Sequence, residues 1–339
     1  MPDIALISLG TTPGLRRADA ALAELLRAAG ADCEVREARI GPLGRLRRQI
    51  TVTDWVEARA AARAARGTGA RATIFSTVTA ALLARPEGPY AVRFDAPAAL
   101  NRPGLSGAWQ RRRERRVLAG ARLLLPWGRA AAAAIPVAGA EVVPLGVPVE
   151  AAPAAGRRDV DAVAYAGWPW KRGLDVLCAA WGRAAPAGAR LLVGGCDAEK
   201  GRAWLRRSGV AEPAGVEWLG TLGRSEWLEL VGRARVFVNA SRREDHGLAQ
   251  LEALAAGTPL VTVPSPGAYE ALPLARELAG ELVAADGSAE ALAQALAAGL
   301  ALDEEARAAY AERARALLAP YGREALLATV RDEVLPRLL

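Results

Sequence analysis

Between Arg235 and Thr262 the chain reads RVFVNASRREDHGLAQLEALAAGTPLVT, and no other stretch restricts its fold as much. Val236-Phe237-Val238 is β-branched and aromatic, which predicts a strand. Ser241 to Gly247 is polar and ends in glycine, which predicts a loop. Leu248 to Ala256 is rich in Leu, Ala, Glu and Gln, and Gly257-Thr258-Pro259 stops it as a helix is stopped. Leu260 to Val263 then opens another strand. Strand, loop, helix and strand in succession is the unit of a parallel sheet, so the fold class is α/β.

Two acids bracket the turn: Glu244 in the loop, and Glu252 eight residues later in the helix. Leu248, Leu251 and Ala255 share a helix face, and Glu252 falls at the edge of that stripe beside Leu248. A carboxylate beside a core is costly unless something bonds it. Spacing alone fits an Ala-rich helix with a tolerant edge equally well. The context is more specific. A strand, then Glu-Asp-His-Gly-Leu, then Leu-Glu-Ala-Leu-Ala-Ala-Gly-Thr-Pro-Leu-Val resembles the signature of the retaining glycosyltransferases of family 4. That signature reads Glu-Gly-Phe-Gly-Leu, three residues, Glu-Ala, then Ala-x-Gly-x-Pro-Val-Val. The resemblance implies the GT-B fold, in which two Rossmann-like, doubly wound parallel-sheet domains face a central cleft.

The length of 339 residues is a prior for about two domains. The expected division is 1–150, 151–318 and a C-terminal helix over 319–339 that packs back on the first domain. Hydrophobic residues at 52% and charged ones at 24% fit a soluble globular protein. The net charge of +7 is almost wholly arginine, since Lys171 and Lys200 are the only lysines. Such a balance suits phosphate-bearing ligands, an anionic membrane surface or nucleic acid, and compositional bias explains it equally well. Cys33, Cys178 and Cys196 are odd in number and far apart, without disulfide or zinc spacing, so a reducing, cytoplasmic setting is expected. No apolar run reaches spanning length, which leaves peripheral contact with the inner face of an anionic membrane as an expectation.

Along the chain, Ile4 to Leu9 predicts a first strand, Gly10 to Gly14 a turn, and Ala18 to Ala29 a helix. There is no GxGxxG, so Gly10 either lets backbone N–H groups approach a phosphate or makes a plain strand-to-helix turn. Further strands are expected at 72–76, 91–94, 123–126 and 142–144, with helices over 56–66 and 111–122. The second of these helices carries Arg111, Arg112, Arg113, Arg115 and Arg116, a solvated face or an anion-binding patch. Asp95 closes a strand where α/β sheets place ligands. Glu150 to Arg158 reads as a linker of Ala, Pro and Gly. The pattern then restarts, with strands at 163–166, 190–193, 216–220 and 281–283 and helices over 174–184, 288–298 and 304–339, the last broken at Pro320.

A sugar nucleotide presents a diphosphate that gains charge as its glycosidic bond breaks, and fixed cations with aimed N–H groups must meet that charge. Lys171 and Arg172 sit on a glycine-bounded turn between Gly167 and Gly173, at a predicted strand-to-helix junction. The resemblance implies Gly-Arg, a short loop and Lys-Gly at this place, the two cations gripping the donor diphosphate. Here Trp168 stands where the arginine is expected, so either Lys171 and Arg172 together replace the pair or one contact is missing. By the same resemblance Glu252 takes the ribose hydroxyls and Glu244 the hydroxyls of the donor sugar. The backbone of Asp245, His246, Gly247 and Leu248 points N–H groups at sugar and phosphate. The family often has a histidine near the position of Phe94-Asp95; none stands there, and Arg93 and Asp95 are the candidates to orient the acceptor. His246 is the only histidine, so no His-based triad or multi-histidine metal site can form.

The expected activity is metal-independent, retaining transfer from a nucleoside-diphosphate sugar to an unidentified acceptor hydroxyl, with no resident cofactor. A GT-B-shaped module that binds a nucleotide without transferring anything is the alternative. Nucleic acid is not an expected partner, because no aromatic-studded basic sheet or recognised module accompanies the charge.

Overall fold

The computed structural model describes residues 1–40, 50–150 and 158–339; most of the expected linker, 151–157, lies outside the described residues. The chain divides into two compact units, Met1–Pro148 with Tyr321–Leu339, and Val149–Pro320.

The first unit holds five parallel strands: β1 (Ile4–Ser8), β2 (Cys33–Glu37), β3 (Ala72–Phe75), β4 (Tyr90–Phe94) and β5 (Leu123–Pro126). Their order is β2-β1-β3-β4-β5, with Ile4 opposite Cys33 on one side and Ala72 on the other. Chain order reverses at β1, so the β1/β3 gap is the switch point of this sheet. Every residue of β1, β3 and β5 is buried, as expected for a parallel sheet covered on both faces. The first helix runs Pro13–Ala28, starting earlier than its apolar spacing predicts. The Thr12 hydroxyl accepts from Leu15 N, and Pro13 occupies the first turn, where its missing N–H costs nothing. Leu326, Val330, Val334 and Leu338 from the C-terminal segment join the core built on Ile4, Leu6, Leu22, Leu25 and Leu125.

The second unit holds β6 (Val160–Tyr165), β7 (Leu191–Gly194), β8 (Val216–Gly220), β9 (Ala234–Asn239) and β10 (Leu260–Thr262), all parallel. Their order is β10-β9-β6-β7-β8, so chain order reverses between β6 and β9. Helices Leu174–Ala184, Ala198–Arg207, Arg224–Arg233, Leu248–Ala255 and Ala289–Ala301 connect and cover the strands. Two of them, Ala198–Arg207 and Arg224–Arg233, are not predicted from the sequence. The strands expected at 142–144 and 281–283 are only isolated bridges, Leu124 to Val142 and Thr262 to Val283. Pro126, which has no N–H to donate to Val143 O, ends the first ladder, and a 3₁₀ turn over Gly280–Leu282 limits the second. Among the described residues no helix is long and apolar enough to cross a membrane.

Candidate functional site

In an open α/β sheet, ligands bind beyond the C-terminal strand ends where chain order reverses. In the second unit the loops that leave β6 and β9 meet at that place. Gly173, at φ 59°, ends the first loop, and a Cβ there would lie 2.0 Å from the carbonyl oxygen of Ala240. Only glycine lets the two backbones approach so closely. Arg242 fastens them further: its N–H donates to Lys171 O (2.9 Å), and its guanidinium donates to Trp170 O (2.9 Å) and pairs with Asp175 (2.6 Å).

Two cation–acid pairs result. Lys171 Nζ donates to Asp245 Oδ2 at 2.8 Å. Arg172 Nη1 donates to Glu244 Oε2, and Ser241 Oγ lies 3.4 Å from the same nitrogen. Gln250 Nε2 (3.0 Å) and Ser241 Oγ (3.2 Å) also donate to that Glu244 oxygen, which is how a carboxylate only 4% exposed is tolerated. Gln250 Oε1 is buried with no hydrogen-bond partner among the described residues. Burial pushes the Asp245 carboxyl up, but the charges and hydrogen bonds of Lys171 and Arg243 outweigh it and hold the group below the usual carboxylate range. Gly267, at φ 125°, cradles the acid loop, because a Cβ there would sit 2.1 Å from Glu244 O. The guanidinium of Arg172 also lies over the Tyr165 ring, 5.6 Å from its centroid.

Gly247 adopts a left-handed conformation and starts the Leu248–Ala255 helix with no side-chain cap. The backbone N–H groups of Asp245, Gly247 and Leu248 donate to nothing among the described residues. Together with the positive end of the helix they are suited to an anion. His246 is buried, and its carbonyl accepts from Glu270 N at 3.2 Å. Glu252 is buried as well, with Arg224 Nη1 at 2.7 Å from Oε1 and Trp227 Nε1 donating to Oε2 at 3.2 Å. Sequence reasoning missed Arg224, Trp227, Ser241 and Gln250. The helix carrying the first two was legible only in Gly223 and Glu226, whose carboxylate accepts from Gly223 N at 2.8 Å. Gly167, on the first loop, accepts from Lys200 Nζ at 2.8 Å through its carbonyl.

The remaining expected residues lie in the first unit. Gly10 leaves β1 at φ 55°, and its carbonyl accepts from Arg16 at 2.7 Å. Asp95 ends β4, with Oδ1 accepting from Ala96 N at 2.8 Å. Arg93 does not present its charge to a ligand. It is 1% exposed, bonds the carbonyls of Leu145, Ala18 and Gly146, and stacks over Trp127. Burial pulls its pKa down to about 10. On the basic helix, observed over Ala108–Ala119, Arg111 and Arg113 bond backbone carbonyls, and Arg112, Arg115 and Arg116 are exposed. A separate cavity, lined by Trp181, Pro186, Arg190 and Pro213, opens at the N-terminal edge of the second sheet and contacts none of these groups.

Comparison with known proteins bears on the fold that holds this site. Residues 160–301, the greater part of the second unit, match the family model described as glycosyl transferases group 1. A search of curated proteins finds no match. Among solved structures, sucrose-phosphate synthase from Thermosynechococcus elongatus superposes with a TM-score of 0.74 at 18% identity, over 98% of both chains. WaaG, a glycosyltransferase involved in lipopolysaccharide biosynthesis, gives 0.72 at 15% identity over 99% of both chains. HepE from Anabaena, solved with UDP and glucose, gives 0.66 at 15% identity over 98% of this chain and 99% of its own. The fold is that of the GT-B glycosyltransferases, and residues 160–301 are similar to the group 1 glycosyl transferase family.

Proposed function

We propose that the protein is a retaining glycosyltransferase of family 4, which transfers a sugar from a nucleoside-diphosphate sugar to an acceptor hydroxyl. The observation that carries this reading is the meeting of Lys171–Asp245 and Arg172–Glu244 at the β6/β9 switch point, beside unpaired N–H groups at the start of the Leu248–Ala255 helix. The donor's diphosphate takes the cations and the N–H groups. Its sugar hydroxyls take Glu244, and its ribose diol takes Glu252. The likeness to WaaG, a glycosyltransferase, and to HepE, solved with UDP and glucose, supports a nucleotide sugar as the donor.

In the reaction the bond between the anomeric carbon and the phosphate oxygen breaks as that carbon bonds the acceptor oxygen on the same face. The acceptor's proton passes to the leaving phosphate. Lys171 and Arg172 stabilise the charge that develops there, and no metal is assigned a role. A thermal-shift screen of UDP-, GDP-, ADP- and TDP-sugars identifies the donor, since a ligand of the folded state raises the melting temperature. Product analysis then reads the anomeric configuration, and inversion overturns the retaining assignment.

A second reading rests on Trp168, which stands where the family resemblance calls for an arginine. With one phosphate contact fewer, the protein would hold a sugar nucleotide without turning it over. Donor binding with neither transfer nor donor hydrolysis, across a broad acceptor panel, selects this reading.

A further inference from the structure

The six tryptophans of the second unit divide sharply. Trp181, Trp204, Trp218 and Trp227 each donate their indole N–H to a protein oxygen: Ala214 O (3.1 Å), Asp175 (3.1 Å), Glu212 (2.7 Å) and Glu252 (3.2 Å). Trp168 and Trp170 are 62% and 49% exposed, and their N–H groups bond nothing among the described residues. They stand together, ring centroids 6.1 Å apart and planes tilted by 46°. Their backbone is firmly held. Trp168 O accepts from Arg172 N (3.0 Å), Pro169 O from Leu174 N (3.0 Å), and Trp170 O from Gly173 N (3.2 Å) and from Arg242 (2.9 Å), while Pro169 is buried beneath them. A rigid turn therefore keeps two large aromatic surfaces in water, immediately before the cations Lys171 and Arg172.

The geometry points to Trp168 and Trp170 as a stacking platform for a pyranose ring of the acceptor. This inference rests on the transferase reading of the same site. A pyranose offers a face of C–H groups to an aromatic ring and hydroxyls at its edge, and a tryptophan with an uncommitted N–H answers both. Glu244, proposed for the donor's sugar, is bonded by Arg172, two residues after Trp170, so the tryptophans stand on the turn that serves the donor sugar. A nucleobase on the two tryptophans is the competing outcome, and the parallel titration of nucleoside diphosphates separates it from a pyranose.

Saturation-transfer NMR tests the assignment, with methyl gluco-, galacto- and mannopyranosides and the corresponding disaccharides as probes. UDP, GDP, ADP and TDP are titrated in parallel. The expected result is transfer to ring C–H protons of at least one pyranoside in the wild type, lost in the Trp168→Ala/Trp170→Ala double variant and kept in Trp168→Phe/Trp170→Phe. Diphosphate affinity should stay within twofold throughout. Both side chains are exposed, so an unchanged melting temperature verifies that the variants fold. Absence of transfer in the wild type, equal transfer in the alanine double variant, or a tenfold loss of diphosphate affinity in that variant overturns the platform. If no diphosphate binds while pyranoside transfer still depends on the two tryptophans, the transferase reading fails and the sugar platform stands.

Discussion

The Arg224 guanidinium lies 2.7 Å from Oε1 of Glu252, and Trp227, three residues further on the same helix, donates to Oε2. These two donors hold both oxygens of a carboxylate that is only 3% exposed. Arg224 and Trp227 are positioning residues for Glu252, supplied by a helix that follows a different strand.

Glu252→Gln keeps the shape of this group and removes its charge. Calorimetry should show nucleoside diphosphate and nucleotide sugar weakened alike, by about 1.5–3 kcal/mol, as for loss of a charged hydrogen bond. Wild-type affinity for both ligands would remove Glu252 from the nucleotide site.

Glu244→Gln should separate the two ligands. The substitution frees Arg172 from a carboxylate, so nucleoside diphosphate should bind more tightly, by about 1 kcal/mol. Turnover should fall, and so should the preference for one donor sugar. Weaker diphosphate binding would mean that Glu244 does not compete for the cation.

Lys171→Ala and Arg172→Ala should each lower turnover, by roughly a hundredfold or more for whichever faces the leaving phosphate. Single-turnover measurement at saturating donor distinguishes this from weakened binding.

Glu114 supplies a pH test in the first unit. Its carboxyl is 1% exposed and accepts from Ala98 N at 2.7 Å, and burial lifts its pKa from 4.5 to about 7. The folded state therefore keeps a proton that the unfolded chain releases above pH 4.5. This contribution is complete below pH 4.5 and is lost as pH rises to about 7, up to roughly 3 kcal/mol in total. Glu114→Gln retains the acceptor for Ala98 and should flatten the fall in melting temperature across that window. Parallel pH profiles for wild type and variant would contradict the assignment.

Much of the second unit was legible because its determinants are local. The strand at 216–220 and the helix over 174–184 are found at the expected bounds. The helix over Ala198–Arg207 was not legible, being polar and arginine-rich with a start that depends on the Asp197 cap, nor was Arg224–Arg233, whose start rests on Glu226 accepting from Gly223 N. The pairing of Arg172 with Glu244 spans 72 residues, and only the sheet order brings the two together. Arg93 misled for the opposite reason. In a sheet covered on both faces alternation does not separate inside from outside, and the carbonyls that hold Arg93 come from 52, 53 and 75 residues away.

The two ion pairs at the switch point commit Lys171 and Arg172 each to an acid of its own. A bare anion that draws Arg172 toward itself strands Glu244, a buried charge with its strongest partner removed, and that penalty offsets much of the gain. A ligand that brings hydroxyls to the carboxylate along with phosphates to the cations escapes the penalty. The site then works as a coincidence detector, in which charge and polyol must arrive on one molecule. Under that rule inorganic phosphate and spent nucleotide are weak competitors, and product release becomes easier once the sugar has left.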